Sequence, residues 1–528
     1  MKKLISFAAL VMALVMSAAV VAEAGQQTVP PREWADEPGS AAGAMGFFGG
    51  ITEGIPLPMT SEVIVAATGN NGVGNLGIDS MYTEVSFLMG EPVEFEGRIV
   101  ITANGRVTDD DSGSFDIVYS MWGESLYGDV MGRTVSFAVN WHRDRFRNQV
   151  HKGFQAQAWD EFFIIDGVAF DIDASRSFWN VSVLEVHDAG VIYYTGNQTK
   201  QAVFFVDDEV DAVTVHSSGE LYGFRTAWSH TETHIITDWI YNDVFGWQMA
   251  VQVRPSVSAF KTLQYDDNLP HLINFPGNFQ EVHSTQSALV YNIFHLPNQF
   301  FGIDVYGTAN VHTPNIFENL MWTDTSALYG HWAHREVSHL YAIGVLTRPP
   351  AMFAPEQAIT RSEFFVMLVR AIGLPLHEMP TPRGRRRDID VTVFPDVMSD
   401  RADFPYIMAA FNAGLTAGVG GGMFNPNGYV TLEEAIHTVV DAMGLLRLGI
   451  NPTHMTPFSD DQDISPWARQ AMYAGARIGL ITPDIQGMIH PRMEITQAGA
   501  AAIINRLIDY MRTELRVDYT ENIMNFAW

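Results

Sequence analysis

The last third of the chain repeats one spacing three times, and this feature constrains the fold more than any other. In each copy, a glycine at the end of an apolar stretch is followed by a proline 11 or 12 residues later and by a threonine five residues after the proline. The three sets are Gly344, Pro355 and Thr360; Gly414, Pro426 and Thr431; and Gly479, Pro491 and Thr496. Because one helix pair cannot bury its apolar face alone, the three copies predict helical units that pack together.

Each threonine of the repeat is predicted to cap a helix. In a capping box, a threonine and a glutamate three residues later satisfy each other's free backbone N–H groups. Two copies complete this box: Thr360 with Glu363, and Thr431 with Glu434. The third copy has Gly499 three residues after Thr496, so its box is incomplete.

Apolar residues stand 5, 8 and 12 positions after each threonine, and these positions share one face of a helix. They are Phe365, Leu368 and Ile372; Ile436, Val439 and Met443; and Ala501, Ile504 and Ile508. We expect this face to be buried. Gly373 and Gly444 are predicted to end the first two helices, because a helix C-terminus favours a residue with positive φ.

The N-terminal segment has the pattern of an export signal. Lys2 and Lys3 precede an apolar run from Leu4 to Val21, and Ala22-Glu23-Ala24 matches a small-x-small cleavage site. Residues 1–24 are therefore predicted to be a signal peptide. Residues 25–55 are rich in Gly, Pro and Ala and are predicted to form a linker or N-terminal arm.

Composition narrows the classes of partner and cofactor. The 528-residue chain is 47% hydrophobic, has a net charge of −29 and contains no cysteine. Its negative charge repels nucleic acid and anionic lipid, so neither nucleic acid nor, after signal cleavage, a membrane is a predicted partner. Disulfides, thiolate metal sites and cysteine nucleophiles are excluded. No cofactor is predicted, with Ca²⁺ kept as an alternative because acidic surfaces attract divalent cations.

Residues 56–319 carry the signals of a β-rich region. Val93 and Phe95 alternate with glutamates, as in a half-buried strand, and Asp166-Gly167 predicts a two-residue hairpin turn. Turns are also expected at Asn104-Gly105 and at Gly196-Asn197, between two short strands. The prediction is an all-β, sandwich- or barrel-like region of unspecified topology.

The C-terminal copies resemble the S-layer homology repeats of bacterial surface proteins. Three features carry the resemblance: an aromatic-x-Asp opening, a Trp-Ala start of the first helix and a Thr-Arg-x-Glu motif. In this sequence they are Trp322-Thr323-Asp324, Phe394-Pro395-Asp396 and Phe458-Ser459-Asp460; Trp332-Ala333 and Trp467-Ala468; and Thr360-Arg361-Ser362-Glu363. The repeats are placed at residues 320–376, 391–447 and 455–511, followed by a tail at 512–528.

This resemblance implies a mostly α-helical, pseudo-threefold trimer of repeats whose grooves hold secondary cell-wall polysaccharide, often a pyruvylated one. A pyruvate ketal presents a carboxylate, which a helix N-terminus and the planar fork of an arginine both favour. Tryptophan rings would stack on the sugars. The predicted polysaccharide-binding residues are Thr360, Arg361, Trp332, Asp396 and Trp467.

Departures from the family pattern predict a single competent groove around Arg361. The second copy reads Thr431-Leu432-Glu433-Glu434 and has Ala402-Asp403 in place of Trp-Ala. The third reads Thr496-Gln497-Ala498-Gly499. The alternative is that all grooves are degenerate and the repeats serve packing or assembly alone.

Three further clusters of charged or metal-binding residues each have a functional and a simpler structural interpretation. His230, Glu232 and His234 would share one face of a strand, where an ordinary polar face is favoured over a metal site. Asp109 to Asp111 is favoured as a solvated turn over a calcium loop. The basic cluster at residues 383–387 either contacts anionic wall polymer or forms a solvated loop.

The sequence therefore predicts a secreted protein of the cell wall, cell surface or S-layer, anchored noncovalently and displaying a β-rich structural or binding domain, with self-association in a surface layer. The alternative is a wall-anchored enzyme that acts on polysaccharide through the β-rich region. No nucleophile elbow, phosphate-binding loop or dinucleotide fingerprint supports catalysis.

Overall fold

The computed structural model describes residues 50–52, 73–109, 111–207, 212–244, 246–265, 279–295, 305–311, 313–320, 323–376, 393–449 and 455–519. Four predicted features lie wholly or mostly outside these residues: the signal peptide, most of the arm at 25–55, Trp322 and the basic cluster at 383–387. Within the described part, no helix has the length and apolar character that crossing a membrane requires.

The N-terminal region is an all-β, antiparallel sheet, which confirms its predicted class. Its fifteen strands are β1 (Gly50–Thr52), β2 (Val73–Ser86), β3 (Val93–Asp109), β4 (Ser112–Glu124), β5 (Val130–Phe146), β6 (Gln149–Ile165), β7 (Val168–Ile172), β8 (Phe178–Asp188), β9 (Val191–Val206), β10 (Ala212–Arg225), β11 (Ser229–Asn242), β12 (Trp247–Tyr265), β13 (Phe279–His295), β14 (Val305–Val311) and β15 (Ile316–Asn319). Strands β1 to β7 and β9 to β14 pair in chain order. Strands β7 and β8 both lie between β6 and β9, and β15 pairs with β13.

Alternating burial along the strands gives the sheet one apolar interior face. In β5, for example, Val135, Phe137 and Val139 are buried and the residues between them are partly exposed. Phe95 in β3 is fully buried, as its alternation with glutamates predicts. Strand β14 at one edge lies beside β2 near the other edge, so the sheet curls around one continuous apolar core.

One of three predicted turns is confirmed and two are wrong. Asp166 and Gly167 both have positive φ and join β6 to β7. Asn104-Gly105, in contrast, lies within β3, and Gly196-Asn197 lies within the continuous strand β9. At Gly196 the absent side chain makes room for the neighbouring strand, since a Cβ would lie 2.4 Å from the carbonyl oxygen of Ser182. That glycine marks a close approach of strands instead of a turn.

Secondary structure extends beyond the predicted start of the β region and beyond the predicted end of the helical region. Strand β1 lies in the segment predicted as an arm, and it pairs with β2 because Ile51 is fully buried in the core of the sheet. At the other end, part of the predicted tail is helical, with Leu515 and Tyr519 buried. Burial of these apolar side chains fixes segments that composition alone does not identify.

The C-terminal region consists of short helices joined by turns. They are α1 (His334–Ala342), α2 (Arg361–Ala371), α3 (Phe404–Asn412), α4 (Leu432–Ala442), α5 (Arg469–Arg477), α6 (Gln497–Asp509), a π-helical turn (Tyr510–Glu514), α7 (Leu515–Asp518) and 3₁₀ turns at Ser326–Leu328, Pro350–Met352, Leu445–Gly449 and Asp461–Asp463. Each predicted repeat therefore contributes one pair of helices.

The predicted local features of these helices are confirmed. Complete capping boxes begin α2 and α4, while Thr496 begins α6 with its side chain alone. All nine residues of the predicted apolar face are buried. Gly373 and Gly444 have φ of 64° and 65°, as a helix C-terminus requires.

Backbone hydrogen bonds connect the three repeats in a closed cycle. The first two N–H groups of each second helix donate to carbonyls near the proline of the next repeat, and the third repeat donates back to the first. The bonds run from Arg361 to Gly428, Ser362 to Pro426, Leu432 to Met493, Glu433 to Pro491, Gln497 to Gln357 and Ala498 to Pro355, at 2.7–3.1 Å. Free N–H groups at these helix starts are thus satisfied by a neighbouring repeat.

The curled sheet packs directly on the helical repeats. Trp228, between β10 and β11, is buried and donates its indole N–H to the carbonyl of Ala371 at 2.7 Å. The guanidinium of Arg512 lies 4.3 Å from the centre of the same indole ring. Tyr519 stacks on Tyr193 with a centroid separation of 5.7 Å. The two regions therefore share an apolar core, to which Val191, Phe224 and Trp228 of the sheet belong.

Ion pairs lie inside the curled sheet among the apolar side chains. Lys152 is 2.9 Å from the carboxylate of Glu185, and both side chains are almost completely buried. Burial alone would raise the pKa of Glu185, but hydrogen bonding with His187 and the charge of Lys152 outweigh it and lower the pKa to about 2. This carboxylate therefore stays ionised inside the sheet.

Acidification is expected to weaken the sheet through Glu185. Because its pKa is lower in the folded state, its stabilisation is complete above the ordinary value of 4.5 and is lost as the pH falls towards 2. A shift of this size corresponds to about 3 kcal/mol. Urea unfolding between pH 5 and pH 2 should show a steeper loss of unfolding free energy for the wild type than for Glu185→Gln. Equal slopes for the two proteins would contradict this assignment.

Candidate functional site

A cavity of about 410 Å³ lies between the first two repeats, where α2 faces the start of α3. Its polar lining includes three arginines, two carboxylates and two tyrosines. These residues are Arg348, Arg370, Arg401, Glu363, Asp403, Tyr341 and Tyr406. The start of α2 is joined to the second repeat by backbone hydrogen bonds, and Ser362 of α2 hydrogen-bonds to Asp403 at the start of α3.

Arg401 and Asp403 form a paired group at one side of the cavity. The arginine donates through Nε and Nη2 to the two carboxylate oxygens at 2.8 and 2.6 Å. Ser362 of α2 hydrogen-bonds to the same carboxylate across the repeat boundary. Burial would raise the pKa of Asp403, but these donors outweigh it and leave the pKa lowered. The carboxylate is therefore ionised and holds the guanidinium in a fixed orientation.

Arg370 differs from the other two arginines because its contacts within the described residues are neutral. It donates to the hydroxyl of Tyr406 at 2.7 and 3.0 Å and to Thr347 Oγ1 at 2.5 Å. Its guanidinium lies 4.8 Å from the centre of the Tyr406 ring. Arg348, in contrast, pairs with Glu363. Arg370 thus brings a positive charge that no carboxylate in the described part of the cavity lining pairs with.

Tyr341 adds a polar group to the cavity wall. Its hydroxyl is buried and has no hydrogen-bond partner among the described residues. Burial raises the pKa of this tyrosine to about 12, so the hydroxyl keeps its proton and can donate a hydrogen bond. A buried polar atom without a partner is costly, and a ligand that accepted its hydrogen bond would remove that cost.

The cavity opens here because the second repeat departs from the pattern of the other two. Ala402 occupies the position that Trp332 and Trp467 occupy in the first and third repeats. At the boundary between the second and third repeats, Glu433 stands where Ser362 stands here and accepts hydrogen bonds from the backbone and hydroxyl of Ser465. A small side chain thus leaves space at one boundary, while the buried side chain of Glu433 occupies the equivalent region of the next.

Equivalent positions at the three boundaries carry very different charge. Arg348, Arg370 and Arg401 are matched by Gly418, Asp441 and Pro466 at the second boundary and by Pro483, Arg506 and His331 at the third. Arg506 donates to the carbonyl of Leu480 at 3.0 Å, much as Arg370 approaches that of Val345. Positive charge is therefore concentrated at the boundary between the first and second repeats.

The predicted residues Thr360 and Arg361 lie at the same boundary but not in the cavity lining. Thr360 caps α2, and its hydroxyl accepts the N–H of Glu363. The Arg361 guanidinium is half-buried over the rings of Phe365 and Phe424, 5.4 Å from each centre. Burial lowers the pKa of this arginine, an effect that the charge of Glu434 opposes.

The other three predicted residues are spread over the helical region. Both carboxylate oxygens of Asp396 accept backbone N–H groups, from Phe424 and Asn425, at 3.0 and 2.6 Å. This arrangement fixes a loop of the second repeat. Trp332 and Trp467 are 61% and 53% exposed, so both rings have a face available to a sugar. Trp467 contacts His437 of the second repeat, with ring centres 5.4 Å apart.

The predictions missed the three arginines of the cavity. They lie outside the Gly, Pro and Thr anchors, and two of them precede or follow a helix in loops. The sequence contains one signal of them. At equal distances from the Gly and Thr anchors, the first boundary has three arginines, whereas the second and third boundaries together have one. The cavity itself depends on Ala402 facing α2, which no local pattern reports.

His230, Glu232 and His234 do share one face of β11, and all three are buried inside the sheet. The glutamate binds His234 at 2.6 Å and accepts a hydrogen bond from the hydroxyl of Tyr194 at 3.1 Å. The same hydroxyl is 3.0 Å from His230 Nε2. The cluster therefore forms a buried hydrogen-bond network.

Comparison with known families identifies the C-terminal region. The model of the S-layer homology domain matches residues 323–365 and 393–436, which fall in the first and second repeats and flank the cavity. The chain carries S-layer homology domains. With S-layer proteins among its relatives, these domains place the protein at the cell surface, anchored to the cell wall.

Similar proteins include enzymes as well as S-layer proteins. An endoglucanase of Bacillus sp. (strain KSM-635) is 27% identical over 181 residues, 34% of this chain and 18% of the relative. An amylopullulanase of Thermoanaerobacterium thermosulfurigenes is 30% identical over 158 residues, 30% of this chain and 8% of the relative. An S-layer protein of Bacillus thuringiensis subsp. finitimus is 25% identical over 188 residues, 35% of this chain and 21% of the relative. The chain thus spans between 8% and 21% of the length of these three relatives.

Proposed function

We propose that this protein is held at the cell surface by an acidic cell-wall polysaccharide that enters the cavity between its first two repeats. The concentration of three guanidinium groups at that boundary carries the proposal. Two of them are compensated by Glu363 and Asp403, and Arg370 supplies the remaining positive charge. A polymer that presents a carboxylate, such as a pyruvylated one, matches this charge.

The cavity also supplies groups that suit a sugar. The rings of Tyr341 and Tyr406 line it, and the Tyr341 hydroxyl lacks a partner among the described residues. Aromatic rings contact the apolar faces of sugars, while hydroxyl and guanidinium groups bind their oxygens. The predicted residues Thr360 and Arg361 belong to this proposal as well, because the helix start they form is joined to the second repeat by backbone hydrogen bonds.

We further propose that the three repeats form one pseudo-threefold unit. We also propose that the sheet closes on itself, as in the barrel-like alternative expected from the sequence. The cycle of backbone hydrogen bonds between repeats supports the pseudo-threefold unit, and the approach of β14 to β2 supports the closure of the sheet. On this basis the sheet is displayed at the surface as a structural or binding domain. The names of the S-layer relatives support self-association in a surface layer.

The alternative of a wall-anchored enzyme rests on the relatives named as glucanases and an amylopullulanase. Catalysis on polysaccharide would need carboxyl groups in suitable protonation states, and buried carboxylates lie inside the sheet. Glu161 pairs with Arg133, and Glu185 pairs with Lys152. A glycosidase acid needs a carboxyl that keeps its proton, whereas a cationic partner favours the ionised form. Glu185, whose pKa is lowered to about 2, is therefore unsuited to the role of that acid.

Removing the positive charge of Arg370 is expected to weaken polysaccharide binding. Loss of one charge-assisted contact costs about 1.5–3 kcal/mol, so the dissociation constant of Arg370→Ala should rise roughly 10- to 100-fold. Titration calorimetry with purified wall polysaccharide measures this change. Polysaccharide from which the ketal has been removed by mild acid should bind the wild type as weakly as the intact polymer binds the variant.

Two further variants make this experiment specific. Arg477→Ala removes an exposed arginine at the end of α5 and should leave affinity unchanged. Arg361→Ala tests the residue predicted from the repeat motif, which does not line the cavity, separately from the residues that do. The cavity would be refuted as the binding site if Arg370→Ala bound the polysaccharide as tightly as the wild type while keeping its circular dichroism spectrum and melting temperature.

A further inference from the structure

Three side chains with metal-binding atoms meet on the outer surface of the sheet, far along the chain from the S-layer homology repeats. His142 and Asp144 are two residues apart on β5, so they point to the same face. Asp144 lies directly opposite His151 of β6, in the hairpin that joins the strands. One nitrogen or oxygen from each of the three lies within 4.8 Å of the others, and His151 Nδ1 is 3.9 Å from Asp144 Oδ2.

Neighbouring residues set the positions of both imidazole rings. His151 Nε2 is 2.8 Å from Ser182 Oγ on β8. In the tautomer that donates Nε2–H to this hydroxyl, the Nδ1 lone pair faces Asp144, which is the arrangement that metal-binding histidines use. The ring of His142 lies over Gly153, where a Cβ would stand 2.3 Å from its Cε1 atom. Glycine at that position therefore lets the ring lie across β6.

The surrounding charges are compatible with a cation. Arg143 and Arg145 flank Asp144 in sequence, and both lie 3.3 Å from the carboxylate of Asp111. Their positive charges are therefore partly balanced by a residue outside the three-residue group. All three members of the group are exposed, so an ion from solvent reaches them without opening the fold.

We propose that His142, Asp144 and His151 bind a divalent transition-metal ion of the zinc class. Two imidazoles and one carboxylate are preferred ligands of Zn²⁺, whereas Ca²⁺ and Mg²⁺ prefer sets made of oxygen. At bond lengths of about 2.0–2.1 Å, tetrahedral ligand atoms stand roughly 3.3 Å apart, so the exposed side chains move by about 1 Å or less to close on the ion. The three protein ligands leave a fourth position for water or another donor.

A second group of similar composition is a poorer site. Glu281, His283 and Glu318 also lie close together, but the ammonium of Lys261 is 3.5 Å from Glu281. A protein cation already compensates that carboxylate. The two groups lie on different strands, so variants of one leave the other intact and provide an internal comparison.

Zinc titration of the metal-free full-length protein tests the proposal. After dialysis against a chelator, calorimetry with ZnCl₂ at pH 7.5 should show one saturable ion per chain. His151→Ala and His142→Ala should each weaken it at least 10-fold. Ser182→Ala should weaken it less, because it removes only the group that orients His151. Binding should also decline at acidic pH, since protons compete with the metal for the imidazoles.

The matched control is His216→Ala, which removes an exposed histidine on β10 outside the group. This variant should bind zinc like the wild type. The absence of saturable zinc binding would overturn the proposal. So would equal affinities of the His142, His151 and His216 variants, or a site abolished only by His283→Ala.

Discussion

Replacing Arg133 with alanine is expected to destabilise the sheet by about 3–5 kcal/mol, because the change removes the guanidinium that bridges two buried carboxylates. Arg133 donates to Glu161 at 2.8 Å and to Glu84 at 2.7 Å inside the curled sheet. Tyr82 and Trp159 donate to the remaining oxygens of these carboxylates at 2.8 and 2.9 Å. Arg133 therefore bridges the two carboxylates, and Lys200 is a further positive charge near both of them.

Urea unfolding at pH 7, followed by the strand signal in circular dichroism, measures this loss. Arg98→Ala is the control, since the ion pair of Arg98 with Asp79 is largely exposed and its loss should cost less than about 1 kcal/mol. Equal effects of the two substitutions at pH 7 would contradict the buried network.

Trp228→Ala is expected to separate the sheet from the helical repeats. Truncation of a buried tryptophan costs about 3–5 kcal/mol. It also removes the donor to the Ala371 carbonyl and the ring beneath Arg512. In differential scanning calorimetry, the wild type should unfold with the sheet and the helical region coupled. The variant should show two separate transitions, the first at a lower temperature.

Trp122→Ala provides the comparison for this experiment. Trp122 is 46% exposed on β4, away from the helical repeats, and its loss should shift one transition slightly without dividing it. A single transition at the wild-type temperature for Trp228→Ala would show that the contact does not couple the two regions.

Features governed by short-range rules were predictable from the sequence. The threonine caps, the buried face of each second helix and the positive-φ glycines all follow from residues within one or two turns of a helix. The Asp166-Gly167 hairpin belongs to the same group, since both central residues of such a turn need positive φ. In these cases neighbouring residues in sequence determine the backbone.

Features that depend on distant residues were not predictable. Asn104-Gly105 has the composition of a turn, yet it continues β3 because partners on both sides satisfy its backbone. The cavity requires Ala402 to face α2, and the contact of Trp228 with Ala371 joins residues 143 positions apart. Sequence periodicity reports which side of an element is apolar but not which other element covers it.

The shared core of sheet and repeats has a mechanical consequence. A domain joined to its anchor by a slack tether can swing freely, and drag on it only straightens the tether. Here Trp228, Tyr193 and Tyr519 fasten the two parts side by side. Shear from the surrounding fluid would therefore pass straight into the wall attachment, and the sheet would keep a constant tilt relative to the cell.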